Sequence, residues 1–128
     1  MKLAQAIAGI DKLKSNPYDR AEKLLWLSTL DGMVKTRILD AYEGGREQEF
    51  SSYTEETPDE TQLLIPAPYD QIYLWYLAAQ MDYYNGEITR YNNAIALFES
   101  GYEAFARYYH RTHRPLPGRT GFSQGGLL

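Results

Sequence analysis

The chain has no cysteine and only two histidines among its 128 residues. Without cysteine it forms no disulfide and no thiolate metal site, and no thiol acts as a nucleophile. The two histidines, His110 and His113, lie three residues apart beside Arg111 and Arg114. Because arginines oppose a nearby cation and no further ligand follows, the sequence predicts no metal site. We instead predict both histidines at a helix C-terminus, where the dipole suits a cation.

Long apolar runs are also missing. A membrane-spanning helix needs about 20 apolar residues, and the most apolar stretch, residues 72–81, is short and interrupted. The first 14 residues mix charged and apolar positions, unlike the continuous apolar segment of a signal peptide. The sequence therefore predicts no membrane association, and we expect the protein in the cytoplasm when it is made.

Patterns typical of catalysis are scarce as well. Ser51 and Ser52 lie in an acidic segment with no glycine-framed turn and no neighbouring base, which does not favour a nucleophilic serine. Glu55 and Glu56 lack the apolar surroundings that general acid catalysis requires. Glycine-rich patterns that hold phosphates are absent from the sequence. We therefore expect a protein that is not an enzyme and has no cofactor.

Apolar residues recur at steps of three and four in four segments, which is typical of amphipathic helices. The predicted helices cover residues 3–13, a stretch from Asp19 to Gly44-Gly45, Tyr69–Tyr84 and Glu87–Arg111. Asp19 is placed to cap the second helix, and Asn85-Gly86 to form a tight turn. The sequence thus predicts an all-α fold, a small bundle of about four helices with a long antiparallel C-terminal helical hairpin. In this prediction the second helix packs on Leu74, Leu77 and Met81.

The connection between the second and third helices is long. Residues 46–62 are polar and acidic, and we predict a long acidic loop there with one or two short strands. The apolar residues 62–65 precede two prolines, so they should run extended and cover part of the core. After His113, prolines and glycines end the fourth helix. The predicted organisation is a helical domain over residues 1–113 and a flexible basic tail over residues 114–128.

The net charge is −4, but acidic and basic residues are separated along the chain. Residues 40–60 hold eight acidic side chains and one arginine, whereas residues 104–128 hold four arginines and no acid. One interpretation is a solvated loop together with a helix end whose cations suit the dipole. The other is that the two charged regions meet between neighbouring subunits. On the second interpretation the candidate docking residues are Arg107, Arg111, Arg114 and Arg119.

The chain has 12 tyrosines, most of them on the third and fourth predicted helices. Tyrosine combines apolar area with one hydrogen-bonding group and is enriched at protein interfaces. A tyrosine-rich core would also account for them, and so would a stacking platform for single-stranded nucleic acid, although such platforms have basic residues between the aromatic ones. The candidate subunit-interface residues are Tyr73, Tyr76, Tyr84, Glu55 and Glu56.

Several groups of residues invite comparison with known families: Lys23–Gly32, Leu63–Asp70 with Tyr73, Tyr76 and Leu77, Asp82–Glu87, Arg90–Asn93, and Tyr109–His113. Together they resemble small phage and prophage proteins of the head–tail connector, or adaptor, type. The resembling residues are aromatic and packing positions spread over most of the chain. The resemblance therefore points to a family and carries over no catalytic residue.

This resemblance implies a mostly helical subunit of a homo-oligomeric ring, commonly with roughly twelve copies. Such a ring lies in the virion at the head–tail junction, beneath the portal protein, and it is assembled in the host cytoplasm. It offers a surface to the next neck or tail completion protein and extends the channel for double-stranded DNA, without sequence-specific binding. In this setting the four C-terminal arginines become candidate portal-docking residues. The alternative is a small helical binding or regulatory protein that acts on nucleic acid or a host factor.

Overall fold

The computed structural model describes residues 1–117, and four α-helices and one short 3-10 helix form the fold in this part of the chain. The α-helices are α1 (Leu3–Leu13), α2 (Arg20–Arg37), α3 (Ile72–Tyr84) and α4 (Ile88–Thr112), and the 3-10 helix is Leu39–Ala41. Among the described residues no strand forms, and the β pairing consists of isolated bridges. The all-α class is confirmed, whereas the short strands predicted in the long loop are not formed.

Local sequence explains several helix ends. Asp19 precedes α2, and its side chain accepts a hydrogen bond from the backbone amide of Glu22 at 2.9 Å, as the capping pattern predicts. Helix α3 begins at Ile72 rather than at Tyr69, because residues 66–71 form turn hydrogen bonds before the helix. Gly86 has a φ of +73°, a conformation that side chains with a Cβ rarely adopt. Its position places the tight turn between α3 and α4.

The second helix is shorter than predicted. Its apolar stripe continues through Ala41, but the α-helix ends at Arg37, and Leu39–Ala41 form a 3-10 turn. Both Leu39 and Ala41 are buried by this turn, so the stripe remains part of one buried face. The chain then reverses at Gly44, whose φ is +81°.

Helix α3 occupies the centre of the core, since each of the other α-helices packs against it. Its residues Leu77 and Met81 are fully buried. Leu74, in contrast, lies over α1, where a Cβ added to Gly9 would be 3.2 Å from Leu74 Cδ2. Leu74 therefore contacts α1, a contact that the sequence did not predict, and its packing against α2 stays a prediction.

Helices α3 and α4 are in close contact along their length. The ring centroids of Tyr83 and Tyr91 are 5.7 Å apart, and those of Tyr76 and Phe98 are 5.1 Å apart. Further along, a Cβ added to Gly101 would lie only 2.7 Å from Cζ3 of Trp75. Tyr83, near the end of α3, thus lies beside Tyr91 near the start of α4, whereas Trp75, near the start of α3, lies beside Gly101 in the middle of α4.

The segment between Tyr42 and Gln71 has no regular secondary structure but is fixed to the helices. The amide of Leu3 donates to the carbonyl of Thr61 at 2.8 Å, and that of Leu63 donates to the carbonyl of Met1 at 3.0 Å. Leu63 is 3% exposed and Ile65 is fully buried. The predicted apolar segment over residues 62–65 therefore covers the core.

Candidate assembly surfaces

The most buried carboxylate of the described chain is Asp31 of α2. It accepts hydrogen bonds from the hydroxyl of Tyr53, from the hydroxyl of Tyr73 at 2.6 Å and from the backbone amide of Leu64 at 3.1 Å. The Tyr73 hydroxyl also accepts a bond from the Ile65 amide at 2.7 Å. These bonds connect α2, α3 and two parts of the long loop.

The electrostatics of this cluster indicate a structural role. Burial raises the pKa of Asp31, while the three hydrogen bonds favour its ionised form. Burial and the Asp31 carboxylate both raise the pKa of Tyr53 and of Tyr73, so each hydroxyl keeps its proton and donates it. Asp31 lies four residues after Leu27 on the apolar stripe of α2, and that position is the only sequence signal for the cluster.

Two of the three predicted interface tyrosines lie inside the subunit. Tyr73 is fully buried and Tyr76 is 7% exposed. The Tyr73 hydroxyl is engaged by Asp31, and the Tyr76 ring packs on Phe98. Both side chains are therefore buried within the chain and are not presented to a second copy.

The third predicted interface tyrosine, Tyr84, belongs to an aromatic group beside the α3–α4 turn. We call this group the turn patch, and it consists of the exposed Tyr83 and Tyr84, the half-buried Tyr18 and Tyr91, and the buried Trp26. The rings of Trp26 and Tyr84 stack with centroids 6.0 Å apart, and Tyr18 lies edge-on to Trp26 at 5.3 Å. Tyr83 and Tyr84 are 58% and 62% exposed, so this patch presents apolar surface to the surroundings.

Half of the acidic side chains in residues 40–60 form ion pairs inside the subunit. The pairs are Asp40 with Lys35 at 2.6 Å, Glu55 and Asp59 with Arg20 at 3.5 and 2.7 Å, and Glu60 with Lys2 at 2.5 Å. Glu56 is exposed and accepts a hydrogen bond from Thr54 Oγ1 at 3.1 Å. Within residues 1–117, Glu43, Glu47, Glu49 and Glu56 have no ion pair. Most of the uncompensated acidic charge therefore lies at residues 43–49.

The basic end of the described chain lies next to this acidic turn. The Glu43 amide donates to the Arg114 carbonyl at 2.9 Å, and the Leu116 amide donates to the Ala41 carbonyl at 2.9 Å. The predicted tail boundary at residue 114 thus falls within a hydrogen-bonded segment. Residues 118–128, including Arg119, lie outside the described residues. The two charged regions, which one of the two interpretations brings together between subunits, approach each other within one chain.

The three remaining candidate docking residues are exposed near the end of α4. Arg107 forms an ion pair with Glu103 at 3.4 Å, one helical turn earlier. Arg111 and Arg114 form no ion pair with any residue of the described part of the chain. They are therefore the two cations of this group whose charge is not compensated inside residues 1–117.

Both histidines lie at the end of α4, as predicted, and both are engaged with aromatic neighbours. His110 Nδ1 is 2.9 Å from the Tyr42 hydroxyl, and the ring of His113 stacks on Tyr109 with centroids 3.6 Å apart. Nearby, Gly45 lies so close to Tyr109 and to the Leu39 carbonyl that no Cβ fits there.

Among residues 1–117 no group of three or more His, Cys, Asp or Glu side chains is arranged to hold a metal ion. No described helix combines the length and apolar character needed to cross a membrane.

A groove with a volume of about 180 Å³ lies between α2 and α4. Both helices pack mainly on α3 rather than on each other, which leaves the space between them open. The lining residues are Met33, Arg37, Ile95, Phe98, Glu99, Tyr102 and Glu103. Because small-molecule sites usually occupy about 300 Å³ or more, this groove has the size for a side chain rather than for a cofactor.

Comparisons with protein-family models, with curated proteins and with solved structures found no match to this chain. The resemblance to connector proteins and the function that it implies therefore stay predictions.

Proposed function

We propose that the protein is a structural virion component, a head–tail connector (adaptor) subunit that forms a ring between the portal protein and the neck or tail. The turn patch is the observation that carries this proposal. Tyr83 and Tyr84 are 58% and 62% exposed, and their ring centroids are 5.2 Å apart. Ile88, four residues further along the chain at the start of α4, is 63% exposed. Adjacent exposed apolar side chains are typical of protein interaction sites.

In this proposal α3 and α4 form a long antiparallel C-terminal hairpin with the turn patch at its tip. The long acidic loop over residues 46–62 adds charged surface, although Glu55 is already paired with Arg20 inside the subunit. The ring, with roughly twelve subunits, extends the channel for double-stranded DNA without reading its sequence. The protein works in the virion at the head–tail junction after assembly in the host cytoplasm.

The portal contact is assigned to the end of α4. Arg111 and Arg114 are exposed and lack an ion pair within residues 1–117, so their charge is available to an acidic partner surface. Each single contact of this exposed kind is weak, contributing about 0–1 kcal/mol. Repeated around a ring, however, weak contacts add strongly through multivalency. Arg107 contributes less in this proposal because Glu103 already neutralises it.

The proposal includes no catalysis and no cofactor. The deeply buried carboxylate of the described chain, Asp31, uses its oxygens to hold three segments of the fold together. Its partners are the structural hydroxyls of Tyr53 and Tyr73 and a backbone amide. Such a carboxylate stabilises the subunit that the ring is made from.

The assembly role of the turn patch is tested with the double variant Tyr83→Ser and Tyr84→Ser. We expect native mass spectrometry to show a loss of the large assembly formed by the unchanged chain, alone or on portal rings. The control is Leu97→Ser, since Leu97 is also half-exposed, at 51%, but lies away from the turn on α4. An assembly unaffected by the double variant would remove the turn patch from the proposal. A monomer or dimer that binds nucleic acid or a host factor would favour the alternative function.

A further inference from the structure

The hydroxyl of Tyr102 is buried without a hydrogen-bond partner in the part of the chain that the structure describes. The whole side chain, in the middle of α4, is 5% exposed. A hydroxyl removed from water without a new partner is unfavourable, so such groups are rare in folded proteins. Burial raises the pKa of Tyr102 to about 12, so the hydroxyl is a donor at neutral pH.

Tyr102 lines the groove between α2 and α4, and the remaining lining defines what the groove accepts. Met33, Ile95 and Phe98 are half-buried apolar side chains at its surface. Glu99 is exposed on the α4 side and has no ion pair with residues 1–117. Arg37 and Glu103 complete the lining, and Glu103 is paired with Arg107 at 3.4 Å, so Glu99 is the lining acid without an ion pair in the described chain. The groove therefore fits an apolar side chain, a hydrogen-bond acceptor for Tyr102 and, on the side of Glu99, a cation.

The end of α1 presents these three features together. Leu13 is the last residue of α1 and is 70% exposed, and Lys12 before it is exposed with no ion pair inside the described chain. At this end the Ile10 carbonyl accepts from the Lys14 amide and the Lys14 carbonyl accepts from Asn16 Nδ2, both at 2.9 Å. The carbonyls of Lys12 and Leu13 accept no bond from the described residues outside the helix, so they are the available acceptors. The neighbouring Asp11 is compensated by Lys23 at 2.6 Å, which leaves the local charge positive. We call Lys12 and Leu13 the α1 knob.

We propose that the α1 knob of one subunit docks into the α2–α4 groove of a second copy. Leu13 enters between Met33 and Phe98, Lys12 pairs with Glu99, and a carbonyl at the end of α1 accepts the Tyr102 hydroxyl. The half-buried Met33 or Phe98 side chain has to shift on docking, because the hydroxyl is covered in the free subunit. The inference rests on the proposed function, whose ring requires contacts between copies.

The two surfaces belong to different parts of the subunit, as a ring contact requires. The α1 knob lies near the end of α3, because Lys14, next to Leu13, pairs with Asp82 at 2.7 Å. The groove is centred near Phe98, ten residues into α4 from Ile88 and thus about 15 Å along that helix. A contact between two different surfaces is heterologous, so it generates a ring when the rotation between copies closes.

Disulfide trapping tests the contact directly, because the chain has no cysteine of its own. The variants Leu13→Cys and Met33→Cys are made separately in the full chain, mixed and oxidised. We expect several-fold more 13–33 heterodimer than in a control that mixes Leu25→Cys with Met33→Cys. Leu25 is a matched control because it is 63% exposed on α2 and lies outside the α1 knob.

The variant Tyr102→Phe separates docking from folding. Removal of an unpartnered buried hydroxyl should raise the melting temperature of the free subunit. The same change should weaken association about three- to tenfold, the factor that corresponds to one ordinary hydrogen bond. A raised melting temperature with unchanged association would overturn the docking role of Tyr102.

Charge exchange tests the ionic part of the contact. Glu99→Lys alone should weaken association, and combination with Lys12→Glu in the same chain should restore it. If assemblies form but neither the 13–33 crosslink nor the charge rescue exceeds its control, the docking proposal is wrong while the connector function stands. A chain that stays monomeric at all concentrations, with and without portal rings, contradicts both proposals.

Discussion

The Tyr73 hydroxyl of α3 donates a 2.6 Å hydrogen bond to the Asp31 carboxylate of α2, and both side chains are fully buried. Tyr53 and the Leu64 amide donate to the same carboxylate, so one side chain fixes the long loop to two helices. A buried charge with a full set of donors holds one arrangement of its neighbours, because every other arrangement leaves polar groups without partners. The shape of the loop surface depends on this cluster.

Replacement of Asp31 by alanine should lower the free energy of unfolding by about 3 kcal/mol or more. The physical reason is that Tyr53, Tyr73 and Leu64 would each keep a buried donor without an acceptor. Urea denaturation measures the change. The control Asp59→Ala removes an exposed carboxylate paired with Arg20 and should change stability by less than about 1 kcal/mol. Equal effects of the two variants would contradict the structural role of Asp31.

Stability should fall steeply above pH 10. An unfolded tyrosine loses its proton near pH 10, whereas burial raises the pKa of Tyr53, Tyr73 and Tyr102 in the folded chain. Above that pH the folded state binds more protons than the unfolded state, so the free energy of unfolding decreases as pH rises. Below pH 10 the contribution of these three tyrosines to the free energy of unfolding is fully present and does not change with pH.

Each such tyrosine contributes a loss of about 1.4 kcal/mol per pH unit between its unfolded and folded pKa values. For Tyr102 that interval runs from about pH 10 to about 12. Denaturant unfolding at several pH values should therefore show a shallower decline for Tyr102→Phe than for the unchanged chain. If the free energy of unfolding declined equally with pH in the two proteins, the pKa of the Tyr102 hydroxyl would be the same in the folded and unfolded states.

Phe98 is half-buried, with its ring against Tyr76 at 5.1 Å and Tyr102 at 5.6 Å. We expect Phe98→Ala to destabilise by about 2 kcal/mol, below the 3–5 kcal/mol typical of a fully buried phenylalanine. Phe105 is fully buried and should show that larger loss when replaced by alanine. Thermal unfolding of both variants gives the comparison. A loss at Phe98 as large as that at Phe105 would contradict the partial burial.

Gly101 sets the spacing between α3 and α4. A Cβ there would lie 2.7 Å from Trp75 Cζ3 and 3.0 Å from Ile72 Cγ1. Gly101→Ala should therefore destabilise by about 1–3 kcal/mol through overpacking, despite the higher helix propensity of alanine. The neighbouring exposed Ser100→Ala is the control and should be neutral or slightly stabilising. If Gly101→Ala raised the free energy of unfolding, α3 and α4 would be able to move apart without a loss of packing energy.

Periodicity and end signals predicted the helices because both are local. The Asp19 cap and the Gly86 turn follow from the residues themselves. The end of α2 was misplaced because apolar residues at steps of three and four fit the 3-10 turn at Leu39 as well as an α-helix. The spacing of apolar residues therefore predicts which face of the segment is buried, but it does not distinguish an α-helix from a 3-10 turn.

Contacts between distant segments could not be predicted in this way. Asp31 meets Tyr53 and Tyr73, which are 22 and 42 residues away, and no local pattern encodes those distances. The same limit explains the candidate interface. Tyr73 and Tyr84 lie on one helix and are the same residue type, yet packing buries the first and exposes the second.

Electron microscopy of the full chain mixed with purified portal rings tests most directly whether the chain builds a ring on the portal. We predict a ring of the chain on one face of the portal, with rotational symmetry and a mass that is an integral multiple of the subunit mass. The same ring should be lost when Arg111 and Arg114 are both changed to glutamate, while the free subunit keeps its helical circular dichroism spectrum. Portal rings that remain bare at saturating concentrations of the unchanged chain would contradict the account.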